Sequence, residues 1–336
     1  LSNREQCTTW QVMAKMVGRI PKIVVFGSTY VDMAIKCSQF PQSGQVVAGS
    51  GFSCTPTGPG INQGVEATIC GCETYLLSKV GDDSFGEMVK ENLQTHGVNT
   101  DFVSIAHAMN TGIIVTMVNS QGENSSCVSA GANRALNADE IASARIEQLI
   151  GSADVCLINS DLSADVISTA IRLANLYKTK VILEVPVTHQ DCEKPAELDW
   201  PMEYYSVDIL LPDFDKFDVA VELGAGNTHK AKFLGSELVA RGVGCVIIKM
   251  GAKGAFVIDR QGTVHVPGFK VELVDHTCCG DAFAGALAAS CGTGDKPRDA
   301  VHFAAAAGAL ACTKFGSQDA LPTKQEIIQL LQNQPD

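Results

Sequence analysis

Val274-Asp275-His276-Thr277-Cys278-Cys279-Gly280-Asp281-Ala282-Phe283-Ala284-Gly285-Ala286-Leu287 is the stretch on which the reading of this chain turns. A β-like run from Thr263 to Val274 leads into it, and a small-residue helical pattern, Ala282 to Ser290, leaves it. Between the two stand a glycine, Gly280, and two aspartates, Asp275 and Asp281. The first N–H groups of a helix lack internal partners, and the helix dipole adds partial positive charge at that end. A helix N-terminus therefore suits an anion, phosphate above all. Asp281, in the first turn, is placed to accept a proton from a substrate hydroxyl. An anion cradle beside a general base is what phosphoryl transfer to an alcohol requires. The same spacing also suits an aspartate that merely caps a helix.

The 336 residues suffice for one large α/β domain or two small ones, and 46% of them are hydrophobic, enough for a sizeable core. No apolar run approaches the length of a membrane span. The formal net charge of −12 argues against nucleic acid or an anionic membrane as partner. Thirteen cysteines are scattered along the chain. Two close pairs, Cys70/Cys72 and Cys278/Cys279, lack a second half that would complete a zinc site. Cysteines acting as small core residues in a reducing, cytoplasmic compartment are expected. Thiols at a helix N-terminus tend to be acidic and reactive, so redox control through Cys278 and Cys279 is the minor alternative. The seven histidines show no metal-ligand spacing, and residues 1–21 read as an N-terminal tail without a secretory pattern.

From Lys22 onward the chain alternates strands and helices. Lys22–Phe26 is a short β-branched run ending in Gly27-Ser28, read as a buried strand opening onto a site. Residues 34–57 read as lid strands, as do Thr111–Val118 paired with Asn124–Ser129, so the lid spans about 34–57 and 111–131. The glycine-rich turn Thr57-Gly58-Pro59-Gly60-Ile61-Asn62-Gln63-Gly64 leads into a helix and lets the backbone approach a ligand closely. Asp82, Asp83 and Ser84 read as caps of the helix that ends at His96. Apolar runs at Val155–Ile158, Val181–Val185, Ile209–Leu211 and Val246–Ile248 alternate with helical patterns at Ala164–Tyr177 and His229–Arg241. This rhythm predicts a mostly parallel sheet covered by helices on both faces, with ligands at the strand C-termini. A last helix pair, Ala300–Cys312 and Thr323–Leu331, packs through small residues.

Asp-x-Thr-x-x-Gly-Asp-Ala-Phe followed by Gly-Ala-Leu resembles the C-terminal signature of the ribokinase, or PfkB-type, carbohydrate kinases, which usually reads Asp-Thr-Thr-Gly-Ala-Gly-Asp. His276, Cys278 and Cys279 are departures. The Gly58–Gln63 turn resembles the family's Gly-Gly-Lys-Gly-Ala-Asn-Gln, with Pro59 in place of the lysine. The resemblance covers residues 22–332 and implies one ribokinase-like α/β domain with a small β-lid. It implies that Asp281 is the catalytic base and that the backbone of Cys278, Cys279, Gly280 and Asp281 forms the anion hole. A β-carbon at Cys278 is expected to restrict that backbone. It further implies that Asp32, Gly58, Gly60, Asn62 and Asp161 hold the sugar.

For the nucleotide, Asp213-Phe214-Asp215-Lys216 stands where the family carries Asn-x-x-Glu, which organises magnesium and the phosphates. Lys249-Met250-Gly251-Ala252-Lys253-Gly254-Ala255 resembles the Thr-Leu-Gly-x-x-Gly turn beneath the phosphates. ATP is thus expected at Asp213, Lys249, Gly251, Gly254 and Ala305, the last at the adenine pocket. A lysine at 249 suits a phosphate, an acidic neighbour or plain solvent. Asp275, Thr277, Ala311 and Gly316 resemble a monovalent-cation loop, implying K⁺ alongside Mg²⁺. Exposed lid edges favour a homodimer. The leading expectation is an ATP-dependent sugar kinase. A catalytically weak or inactive pseudokinase with a ligand-binding or structural role, and then a nucleoside kinase, are the alternatives.

Overall fold

The computed structural model describes residues 19–187, 191–192, 194–213 and 225–334. Thirteen strands are found among them. They are β1 (Lys22–Phe26), β2 (Tyr30–Cys37), β3 (Gly49–Thr57), β4 (Glu73–Gly81), β5 (Val103–Ala106), β6 (Ile113–Val118), β7 (Asn124–Ser129), β8 (Val155–Asn159), β9 (Lys180–Pro186), β10 (Ile209–Asp213), β11 (Cys245–Lys249), β12 (Ala255–Asp259) and β13 (Gly262–Val266). Nine of them form one sheet in the order β13-β12-β11-β10-β9-β8-β1-β4-β5. All neighbours are parallel from β11 to β5, and β12 and β13 turn back antiparallel at the edge.

The central strands are apolar on both faces because helices cover both. Alternation along β1 shows it: Ile23 and Val25 join one core, Val24 and Phe26 the other. The first core is covered by α1 (Pro59–Ile69) and α2 (Ser84–Thr95), the second by α3 (Ala138–Ile141), α4 (Ala144–Ser152), α5 (Ala164–Tyr177) and α6 (Ala225–Ala240). The first core then receives α7 (Cys279–Gly292), α8 (Pro297–Ala311) and α9 (Lys324–Asn333). Strand order reverses direction at β1, which has β8 on one side and β4 on the other. In such sheets ligands bind at the strand C-termini near the switch.

The lid is a separate four-stranded sheet in the order β3-β2-β6-β7, antiparallel except where β2 and β6 run side by side. Its first strand begins at Tyr30, four residues before the expected start. The capping expectation at Asp83 holds, since its carboxylate accepts from Gly86 N–H. Asp83 also accepts from the Thr111 N–H and hydroxyl, so the cap joins α2 to the base of the lid.

Two expectations fail. The strand expected over 263–274 is β13 alone and stops at Val266. Pro267 removes a ladder donor, and Gly268 runs so close to the Ala252 carbonyl that a side chain there would lie 2.2 Å from it. The helix expected from Ala282 begins at Cys279, because Cys278 is its N-cap.

Candidate active site

Two helix N-termini meet at the site, and glycines set how closely. Gly58 takes φ 113 just before α1, and Gly60 lies against the end of β1. A side chain on Gly60 would fall 2.7 Å from the Gly27 carbonyl carbon, and the Gly60 N–H donates to Ser28 O at 3.0 Å. Asn62 and Gln63, near the start of α1, are thereby fixed relative to the sheet. On the other side Gly285 of α7 touches α1, where a side chain would meet Gln63 O and Glu66 Cβ at 2.7 Å each. That contact brings Asp281 onto Asn62 and Gln63. Asn62 Nδ2 donates to Asp281 Oδ2 at 2.8 Å, and Gln63 Nε2 donates to Asp281 Oδ1 at 3.0 Å.

Asp281 is therefore a held carboxylate rather than a free cap. Burial and the nearby Glu184 charge push its pKa up to about 6, against the opposing pull of Asn62, Gln63 and Lys249. The first intrahelical bond here is Ala282 N–H to Cys278 O, so the Gly280 and Asp281 N–H groups have no acceptor within the helix. Cys279 departs from expectation. Its N–H leans on His276 O at 3.4 Å, and its sulfur is bonded to Cys312, which follows α8.

Neither Cys278 nor Cys279 is an acidic free thiol. Cys279 is in a disulfide. Burial, reinforced by Asp281, Glu66 and Asp275, drives the Cys278 thiol well above its ordinary value. Among the described residues ten cysteines, Cys278 included, are outside any disulfide. Cys278 itself adopts φ 67, so the β-carbon does not prevent the left-handed backbone that a glycine would supply.

Lys249, at the end of β11, is not a solvated lysine. Its Nζ donates to Glu184 Oε1 at 2.7 Å. Burial opposes its charge, but Glu184, Asp213 and Asp281 outweigh burial and hold its pKa above the usual lysine range. Asp213 ends β10 between them. Glu184 was not singled out as a site residue. The signal was there, a lone carboxylate inside the apolar run Val181–Val185. Asn62 Oδ1 and Gln63 Oε1 are buried with no partner, acceptors left over beside Asp281.

The remaining residues form satellites. Asp32 accepts from the Thr116 hydroxyl across β2 and β6 at 2.8 Å, and Asp161 accepts from the Ser28 hydroxyl at 2.8 Å. Gly251 (φ 53) and Gly254 (φ 90) make the turn after β11, and a side chain at 254 would lie 2.0 Å from Val266 O.

A sequence profile of the pfkB family carbohydrate kinase matches residues 20–324. The chain belongs to this family. It is 29% identical to a ribokinase of Bacillus subtilis, over 92% of this chain and 99% of that one. The crystal structure of ribokinase from Thermotoga maritima is similar, with TM-score 0.78 and 26% identity, covering 94% of this chain and 100% of that one. The structure of Arabidopsis thaliana ribokinase complexed with ribose and ATP shares the fold, with TM-score 0.80 and 23% identity over 93% and 99%. Members of this family are phosphotransferases with an alcohol acceptor, and the matched region spans both glycine-rich turns.

Three of the expected features are less complete here. Phe214, Asp215 and Lys216 lie outside the described residues, so of that motif the structure shows only Asp213. Among the described residues no group of three His, Cys, Asp or Glu side chains could hold a metal ion. One carboxylate plus the phosphates of a nucleotide is nevertheless a common way to hold Mg²⁺, and Asp213 fits that arrangement. In the cation-loop region, Asp275 accepts from the Thr277 N–H and hydroxyl and from the Gly316 N–H, at 2.9, 2.7 and 3.0 Å. These donors hold its carboxyl below the usual range despite burial. Ala311 ends α8, and Ala305 lies half-buried on the same helix.

Proposed function

We propose that this chain transfers the γ-phosphoryl group of ATP to a hydroxyl of a ribose-like sugar, with Asp281 as general base. The observation that carries the reading is the Asp281 carboxylate, gripped by Asn62 and Gln63 at a helix end with spare N–H groups. Asp281 takes the proton of the sugar hydroxyl as that oxygen bonds to the γ-phosphorus and the bond to the β,γ-bridging oxygen breaks. A base near pKa 6 is largely ionised at neutral pH and still accepts a proton. The Gly280 and Asp281 N–H groups and the α7 dipole then stabilise the phosphoryl oxygens.

In this reading Asp32, Gly58, Gly60, Asn62 and Asp161 orient the sugar, and the unpartnered Asn62 Oδ1 accepts from one of its hydroxyls. Asp213, Lys249, Gly251, Gly254 and Ala305 line the nucleotide side. Asp213 would hold Mg²⁺, which neutralises phosphate charge when bound. The carbonyls near Asp275, Thr277, Ala311 and Gly316 would take K⁺. Free ATP and sugar as substrates suit the cytoplasm. Pairing through the outer lid strands, β3 and β7, would give a homodimer.

The test is ADP release from ATP and Mg²⁺ across pentoses, hexoses and nucleosides, with Asp281→Asn as control. Sugar-dependent turnover that falls roughly 10²–10⁴-fold in the control is expected. A folded protein with no turnover above the control would leave the ligand-binding alternative standing. Turnover confined to nucleosides would move the acceptor to that class.

A further inference from the structure

Two charged side chains beside Asp281 come from strands that are otherwise apolar core. Glu184 on β9 is 4% exposed and Lys249 closes β11. β10 runs between these strands, so the two backbones stand roughly 9–10 Å apart. The side chains nevertheless meet at 2.7 Å. The second Glu184 oxygen accepts from Gln63 Nε2 at 2.9 Å, and that same nitrogen gives its other hydrogen to Asp281. One unbroken path therefore runs Lys249–Glu184–Gln63–Asp281. Gly280 leaves room for its far end, since a side chain there would lie 3.2 Å from Lys249 Nζ. The ammonium thus sits against the first turn of α7, where the spare N–H groups are.

Stability alone is a weak reason for this arrangement. Desolvation offsets most of the attraction in a buried ion pair, and apolar side chains would fill the same space at least as well. The path also leaves Gln63 Oε1 buried without a partner, a cost accepted so that both amide hydrogens face carboxylates. A lysine is a point charge on a flexible stem and needs an anchor to stay at one place.

We propose that Glu184 is a positioning residue for phosphoryl transfer: one carboxylate holds the Lys249 ammonium at the anion-binding end of α7 and, through Gln63, holds the Asp281 base. The inference rests on the kinase reading given above. It adds that base and phosphate-facing cation are set by the same group, so neither can shift alone.

The test uses Glu184→Gln, Lys249→Met and the double variant, with kcat, both KM values, and equilibrium binding of ATP and of adenosine. Glu184→Gln is expected to lower kcat about tenfold to a hundredfold, the scale of a small misplacement, with the sugar KM within about twofold. The double variant should fall no further than Glu184→Gln, because the single change already releases Lys249. ATP binding should weaken in both single variants and adenosine binding should not. Unchanged kcat and ATP affinity, with only a lower melting temperature, would overturn the proposal, as would fully additive effects. If the wild-type chain shows no turnover, the kinase reading fails, and the binding comparison still decides whether Glu184 sets the anion site. Should Glu184→Gln not fold, Glu184→Asp keeps the charge but is too short to reach both partners, and the same kcat and ATP losses are expected.

Discussion

Gly285→Ala is the change that tests how the site is assembled, because it touches no group that reacts. The added methyl would meet Gln63 O and Glu66 Cβ at 2.7 Å and Glu66 Cγ at 3.0 Å. Ordinary contact begins near 3.4 Å, so α1 and α7 must separate by about 3.4 − 2.7 = 0.7 Å. Overpacking of this kind costs about 1–3 kcal/mol, and the better helix propensity of alanine returns up to about 1 kcal/mol. A net loss of about 1–2 kcal/mol is expected, a fall of a few degrees in Tm. The catalytic effect should be larger in proportion. The same 0.7 Å added to the 2.8 and 3.0 Å bonds from Asn62 and Gln63 brings both to or past 3.5 Å, where a hydrogen bond is effectively lost. A base misplaced by this much loses up to about a hundredfold in turnover. Thermal unfolding and sugar-dependent ADP release on the same sample give both numbers. A variant more stable than wild type with unchanged kcat would refute the argument that this glycine sets the distance between base and clamp.

Other expectations follow from individual groups. Activity should fall as pH drops through about 6, because Asp281 must be ionised to act and its pKa is raised to that value; a profile flat down to pH 5 would sink its role as base. Burial holds Glu66 near 8 against an ordinary 4.5, so its neutral form favours the fold below pH 4.5 and that support is lost as pH rises through 8. Glu66→Gln should therefore gain stability over wild type between pH 5 and 8, by up to a few kcal/mol, and a Tm difference that does not change with pH would contradict this. Cys278→Gly should fold with Tm within a few degrees of wild type, since relief of about 1–2 kcal/mol of left-handed strain offsets the buried thiol. Cys278→Val, β-branched at φ 67, should lose clearly more, and equal melting temperatures for the two would rule out the strain argument.

Short-range pattern determined much of the fold. β1 spans Lys22–Phe26 and α5 spans Ala164–Tyr177, as read from apolar runs and helical spacing. These follow from periodicity, which a strand buried on both faces or an amphipathic helix writes directly into neighbouring residues. The two glycine-rich turns were legible for the same reason, since close backbone approach leaves glycines at fixed spacing. The start of α7 was not, because it depends on Cys278 taking a left-handed angle that its residue type disfavours. The Cys279–Cys312 bond joins residues 33 apart in sequence and carries no local pattern. The Lys249–Glu184–Gln63–Asp281 path draws on four separate elements. Sequence alone marked Asp281 as a carboxylate at a helix start. Only the packing of α1 on α7 across the ends of β9 and β11 turned it into a clamped carboxylate with a raised pKa, because the field at a site depends on charges brought together through space.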